Sequence, residues 1–171
     1  MEVLKTSRPL TAVLLALALT ASPARSGEPN TTEYQVKAAF LFNFLKFVDW
    51  PGAQQSPWII GVVASNSFAG ILEETVLGKT VKGSQVIVKR LPNVAAAHGC
   101  HIVFVPMPVP AFAPPAGVLT VGDDPHFLSA GGIVGFYLED GKVRFEIQPD
   151  TAKAAGLRVS AQLLKLGKIR E

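Results

Sequence analysis

The segment Thr32 to Pro51, TEYQVKAAFLFNFLKFVDWP, constrains the fold more than any other stretch of the chain. Placed at 100° per residue, Tyr34, Val36, Ala38, Phe40, Leu41, Phe44, Leu45, Phe47 and Val48 fill an arc of roughly 200°. Gln35, Asn43, Lys46 and Asp49 gather on the remaining side, with Phe42 among them. Thr32 followed by Gln35 is a capping-box start, and Trp50-Pro51-Gly52 stops the helix because proline disfavours helical dihedrals in the residue before it. An apolar arc this wide exceeds the stripe needed to pack on one sheet. The helix is therefore expected to bury two faces, one on a sheet and one on something else. A homodimer or partner surface covering Phe42 and Trp50 is the expectation for the second.

The pattern ahead of this helix is that of a secretory signal. Lys5 and Arg8 precede the apolar run Leu10 to Leu19, and small residues follow at Ala21, Ala24 and Ser26. Residues 1–26 are read as a cleaved signal, with cleavage just before Arg25 or Gly27, and 27–171 as one α/β domain. The chain's formal charge of +3 falls to about +1 once that segment is removed, so the basic balance is partly the signal's own. No basic stripe interleaved with aromatics remains, and nucleic acid is not an expected partner.

Beyond the first helix the chain alternates. Trp58 to Ala64 is a continuous apolar run, as expected of a strand covered on both faces. Ser65, Asn66 and Ser67 then cap a helix ending near Gly78, and Gln85 to Leu91 forms the next strand. Asn93 caps a short alanine-rich helix, His101–Val105 and Val118–Val121 are strands, and Asp123 or Asp124 caps a turn through Phe127. Pro106 to Pro115 holds five prolines in ten residues, which no regular helix survives. After Gly131-Gly132 the pattern becomes a hairpin, with Asp140-Gly141 as its turn. A helical turn follows Pro149, and Arg158 to Lys168 reads as a last helix. The expected fold is a single-domain mixed sheet with a parallel core and an antiparallel C-terminal hairpin, helices on both faces, in a Rossmann-like three-layer arrangement.

Catalytic patterns are missing from the sequence. The turn after the first strand is not a G-x-G-x-x-G, and there is neither a P-loop nor a G-x-S-x-G elbow. His98, His101 and His126 form no helical H-x-x-x-H pair, so no metal or other cofactor is expected. Cys100 is the only cysteine, which excludes an intramolecular disulfide and is read as a buried apolar side chain at the start of a strand. Two candidate binding surfaces remain. One is the rim at the strand ends, with Ser65, Asn66, Ser67, Gly122 and Asp123, where helix N–H groups favour an anion. The other is the hairpin face carrying Arg144 and Glu146, bordered by Lys46 and Asp49 if helix and hairpin are neighbours.

The run KAAFLFNFLKFVDWP at Lys37–Pro51 is followed in order by CHIVFV at Cys100–Val105, LTVGD at Leu119–Asp123 and GGIVGF at Gly131–Phe136. With RFEIQPDTAKAAGLRVSAQLLKLG at Arg144–Gly167, the set resembles the YfiR family over about 33–167. The resemblance implies a periplasmic regulator rather than an enzyme. Characterised members bind the periplasmic domain of a membrane-bound diguanylate cyclase and hold it inactive, form dimers, and release the cyclase when a lipoprotein sequesters them. It also implies a small aromatic ligand. The alternative is a small-molecule-binding periplasmic sensor without a cyclase partner. The chain departs from that pattern in keeping one cysteine where the characterised protein has pairs, in Gln148 where Asn is common, and in the proline-rich loop.

Overall fold

The computed structural model describes residues 31–52, 56–64 and 66–171. The expected signal, residues 1–26, lies outside them, as does Ser65. The first helix, α1 (Thr31–Phe47), leads into a two-residue strand β1 (Val48–Asp49). Next come β2 (Trp58–Val63), α2 (Asn66–Val76), β3 (Thr80–Val81) and β4 (Ser84–Leu91). A 3-10 turn at Val94–Ala97 joins β4 to β5 (Ile102–Val105), and the proline-rich loop joins β5 to β6 (Leu119–Gly122). The hairpin is β7 (Val134–Glu139) and β8 (Lys142–Ile147), followed by α3 (Pro149–Ala154). The C-terminal segment is β9 (Arg158–Val159), α4 (Ala161–Leu166) and β10 (Lys168–Ile169).

One eight-stranded sheet runs in the order β10-β8-β7-β6-β5-β2-β4-β3, and β1 pairs separately with β9. Strands β4, β2, β5, β6 and β7 run parallel to one another, while β3 is antiparallel to β4 and β8 is antiparallel to β7. This is the expected mixed sheet, parallel core and closing hairpin. The last helix is shorter than its apolar periodicity predicts. Arg158 and Val159 pair with β1, and Lys168 and Ile169 run parallel to Glu146 and Ile147, so α4 is left with six residues. Ser160 caps it by accepting a hydrogen bond from the Leu163 N–H.

The two faces of the sheet are covered differently. On one, α1 packs with α2, α3 and α4 over Ile60, Val62, Ile102, Phe104, Leu119 and Val121. Phe40 and Phe44 of α1 meet Phe136 and Phe145 of the hairpin at ring-centroid separations of 5.3–6.2 Å, within the range of favourable aromatic pairs. The helix thus buries two faces, against the sheet and against its neighbour helices. On the other side of the sheet, Ala97 of the 3-10 turn, Val109 and Phe112 of the proline-rich loop, and Phe127 and Leu128 cover Val63, Val103 and Val105. Phe127 fits because two neighbours have no side chain. A Cβ on Gly122 or Gly132 would lie 2.4 Å or 2.2 Å from its ring.

Candidate functional site

The chain leaves β2 through α2 to reach β4 on one side, then returns to β5 on the other side of β2. That reversal opens a crevice outside the carboxyl ends of β2 and β5, the place where ligands settle in open α/β sheets. A cleft of about 600 Å³ lies there. Its walls come from the first turns of α1, from Ser67 and Ile71 of α2, from Pro106–Pro108 after β5 and from Asp123–Pro125 after β6.

Lys37 is the charged centre of this cleft. It is 4% exposed, and its ammonium donates to Asp123 Oδ2 at 2.9 Å and pairs with Glu33 Oε1 at 2.5 Å. Burial alone pulls the lysine pKa down. Hydrogen bonds and Coulomb attraction from Glu33 and Asp123 outweigh that and hold it above the usual lysine range. The pairing ties the first turns of α1 to the end of β6, across 86 residues of chain. Asp124 accepts from the His126 backbone N–H at 2.8 Å, with the His126 ring 3.6 Å away on the exposed side. Two carboxylates therefore hold one ammonium, and Asp124 adds a third carboxylate to the cleft lining. The local charge is negative, so an anion gains little from the N–H groups that begin α2. A neutral or amine-bearing ligand suits the balance better.

Asp123 and Ser67, read from sequence as parts of this rim, line the cleft. Asn66 opens α2, with its side chain outside the described atoms. Lys37 and Glu33 escape a reading by charge, because an i, i+4 Glu–Lys pair ordinarily marks a solvated face. Their one signal is position. Lys37 falls on the same helical stripe as Tyr34, Leu41 and Phe44, all of them buried or half-buried.

The interface expected on α1 is corrected by burial. Phe42 is 9% exposed and packs into the core of its own chain, with Lys46 4.4 Å and Lys79 5.2 Å from its ring centroid. Trp50 is 2% exposed and donates its indole N–H to the His101 carbonyl at 3.1 Å. Neither is available to a partner. An outward-facing Phe42 becomes interior because α2 packs along α1 and the turn after α2 brings Lys79 over the ring. Lys46 and Asp49 are exposed, Asp49 beside Lys82 at 3.7 Å.

The hairpin surface is also arranged differently from expectation. Arg144 lies 3.6 Å from Glu139, while Glu146 pairs with Lys168 at 2.9 Å and Arg170 at 3.8 Å. The two do not share a partner, and β10 continues the sheet past β8, so the hairpin is not its edge. Arg144 borders a groove with Val36 and Phe40 of the first half of α1. Lys46 and Asp49 stand at the other end of that helix.

His101 is a core residue. Its Nδ1 accepts the Ile59 N–H at 3.1 Å, and its ring packs against Trp58 and Trp50 at 4.6 Å and 5.7 Å. Cys100 is buried as expected, and burial pushes its thiol pKa up, away from reactivity. Among the described residues, no group of three or more His, Cys, Asp or Glu side chains is arranged to hold a metal. No helix among them is long and apolar enough to cross a membrane.

No curated protein matches the chain significantly. The profile of one family, described as YfiR/HmsC-like, matches residues 34–168, from the second turn of α1 to the start of β10. The chain that folds the expected five sequence runs into α1, the parallel core, the glycine-lined turn and the hairpin belongs to the YfiR/HmsC-like family.

Proposed function

We propose that this protein is a periplasmic regulator that holds a membrane-bound diguanylate cyclase inactive by binding its periplasmic domain. The observation that carries this reading is the family match, which spans nearly every described residue of a regulatory rather than catalytic family. The cleft agrees with it in kind. Its buried lysine is neutralised by two carboxylates, an arrangement suited to holding elements together or accepting a ligand rather than to activating a nucleophile. Deleting the gene should raise cellular cyclic di-GMP, and deleting the cognate cyclase as well should abolish that rise. A deletion that leaves the dinucleotide level unchanged overturns the reading.

A second reading, a periplasmic small-molecule sensor without a cyclase partner, is favoured by the cleft of about 600 Å³, a volume within the usual range of ligand sites. Ligand-dependent thermal stabilisation that is lost in Asp123→Asn, with no change in cyclic di-GMP on deletion, is the outcome that selects it.

A further inference from the structure

At the C-terminal ends of α1 and α2 the molecule sets its most exposed apolar side chain beside cations that lack carboxylate partners. Leu77, at 82% exposure, stands out furthest of the large apolar residues described. It directly follows α2, in a run from Leu77 to Thr80 that is exposed throughout, and Gly78 turns the chain there at a φ of +69°. Lys79 reaches back over Phe42, whose ring already carries Lys46 of α1. Lys46 donates to Asn43 at 3.1 Å, and among the described residues neither lysine meets a carboxylate at ion-pair distance. Lys82, in the turn between β3 and β4, lies over Trp58 with Asp49 3.7 Å away. Aromatic faces thus hold three ammoniums from three elements, with one carboxylate among them. Glu73 is taken by Arg90 at 3.1 Å, and Glu74 lies a turn back along α2. A second corner exposes Leu166 and Ile169, at 64% and 50%, but there Glu146 holds Lys168 and Arg170 at 2.9 Å and 3.8 Å.

We propose that the corner formed by Leu77, Lys46, Lys79 and Lys82 docks on an anionic lipid bilayer. Leu77 enters the headgroup region and the lysines meet lipid phosphates. An apolar side chain that inserts, flanked by cations whose heads stay at the interface, is how a folded domain lies on a membrane surface. Charge complementarity selects the occupant. The surplus is cationic, and a bilayer offers anions and apolar depth together, whereas a soluble anion would leave Leu77 in water. The orientation also keeps the cleft open to solvent. α1 begins at the cleft and ends at this corner, and its 17 residues put about 25 Å between the two. The inference stands whether or not the proposed cyclase is the partner.

Flotation of the mature protein with vesicles tests it. Wild type should float with vesicles of equal parts phosphatidylglycerol and phosphatidylcholine, stay behind with phosphatidylcholine alone, and be released as salt is raised. Leu77→Asp should weaken binding roughly tenfold or more, and Lys79→Gln roughly fivefold. Leu166→Asp, at the corner whose cations are paired, should leave it unchanged. All three positions are exposed, so circular dichroism should report folded variants. If Leu77→Asp does not fold, Leu77→Gln takes its place. A wild-type protein that fails to float overturns the proposal. So does binding that falls with Lys79→Gln yet ignores Leu77→Asp, which is diffuse attraction to a basic surface, and so does binding that Leu166→Asp weakens as much as Leu77→Asp. Release by inorganic phosphate at matched ionic strength would assign the lysines to a free anion and overturn it as well.

Discussion

The two ends of α1 do different work with the same helix. At its C-terminal end the chain turns through β1 into a buried aromatic cluster where Trp50 and Trp58 meet edge to face at 5.4 Å over His101. Both indole N–H groups are spent on backbone carbonyls, those of His101 and Val81. At its N-terminal end the helix presents Lys37 to Glu33 and Asp123 at the mouth of a cleft. One end is closed by apolar burial with every polar atom satisfied internally. The other holds charges whose partners come from separate elements. Stability is concentrated at the first and adjustability at the second, because an ion network can be rearranged by a ligand while a packed indole pair cannot.

Substitutions at the two ends should separate these roles. The largest effect is expected from Trp58→Ala, which empties a fully buried site and removes the indole's hydrogen bond to the Val81 carbonyl. A loss of about 3–5 kcal/mol in denaturant unfolding is predicted, and a loss below about 1 kcal/mol would mean the cluster is not a stability centre. At the other end, Asp123→Asn leaves Lys37 with Glu33 as its remaining carboxylate and should cost about 1–3 kcal/mol. Arg144→Ala, removing a half-exposed partner of Glu139, should change stability by no more than about 1 kcal/mol.

The pH dependence sharpens the same contrast. The Lys37 pKa is raised in the folded protein, so its contribution is fully present below the unfolded lysine value. It is lost as pH rises through the folded one, above about 10.5. Wild type should lose more stability than Asp123→Asn across that alkaline range. Equal slopes would show that the Lys37–Asp123 pair contributes nothing. Near neutral pH the pair is insensitive, since neither limb of the lysine titration lies there.

Much of this architecture is legible from residue order. The apolar run of β2, the alternation in β4, Asn93 accepting from Ala96 and the Asp140-Gly141 turn all stand where local pattern puts them. What local pattern misses is set by tertiary partners. Arg158, Val159 and Lys168 read as helix by periodicity, yet pairing with β1 and β8 overrides it. Phe42 reads as an outward residue on a helical wheel because the wheel carries no information on how many neighbours the helix has. The cleft was legible in its backbone half, through strand ends and the turn at Asp123. It was not legible in its charge, because Lys37 and Asp123 are 86 residues apart and only the fold brings them together.

The central proposal is that this domain regulates a membrane-bound diguanylate cyclase by binding its periplasmic domain. The most direct measurement is cyclic di-GMP synthesis by the cognate cyclase reconstituted in liposomes with its periplasmic domain accessible. Titrating in the purified mature protein should lower the synthesis rate to a saturating floor, and Trp58→Ala, if unfolded under the assay conditions, should lose that effect. A synthesis rate that stays constant across the titration, with a properly folded protein present, would contradict the account.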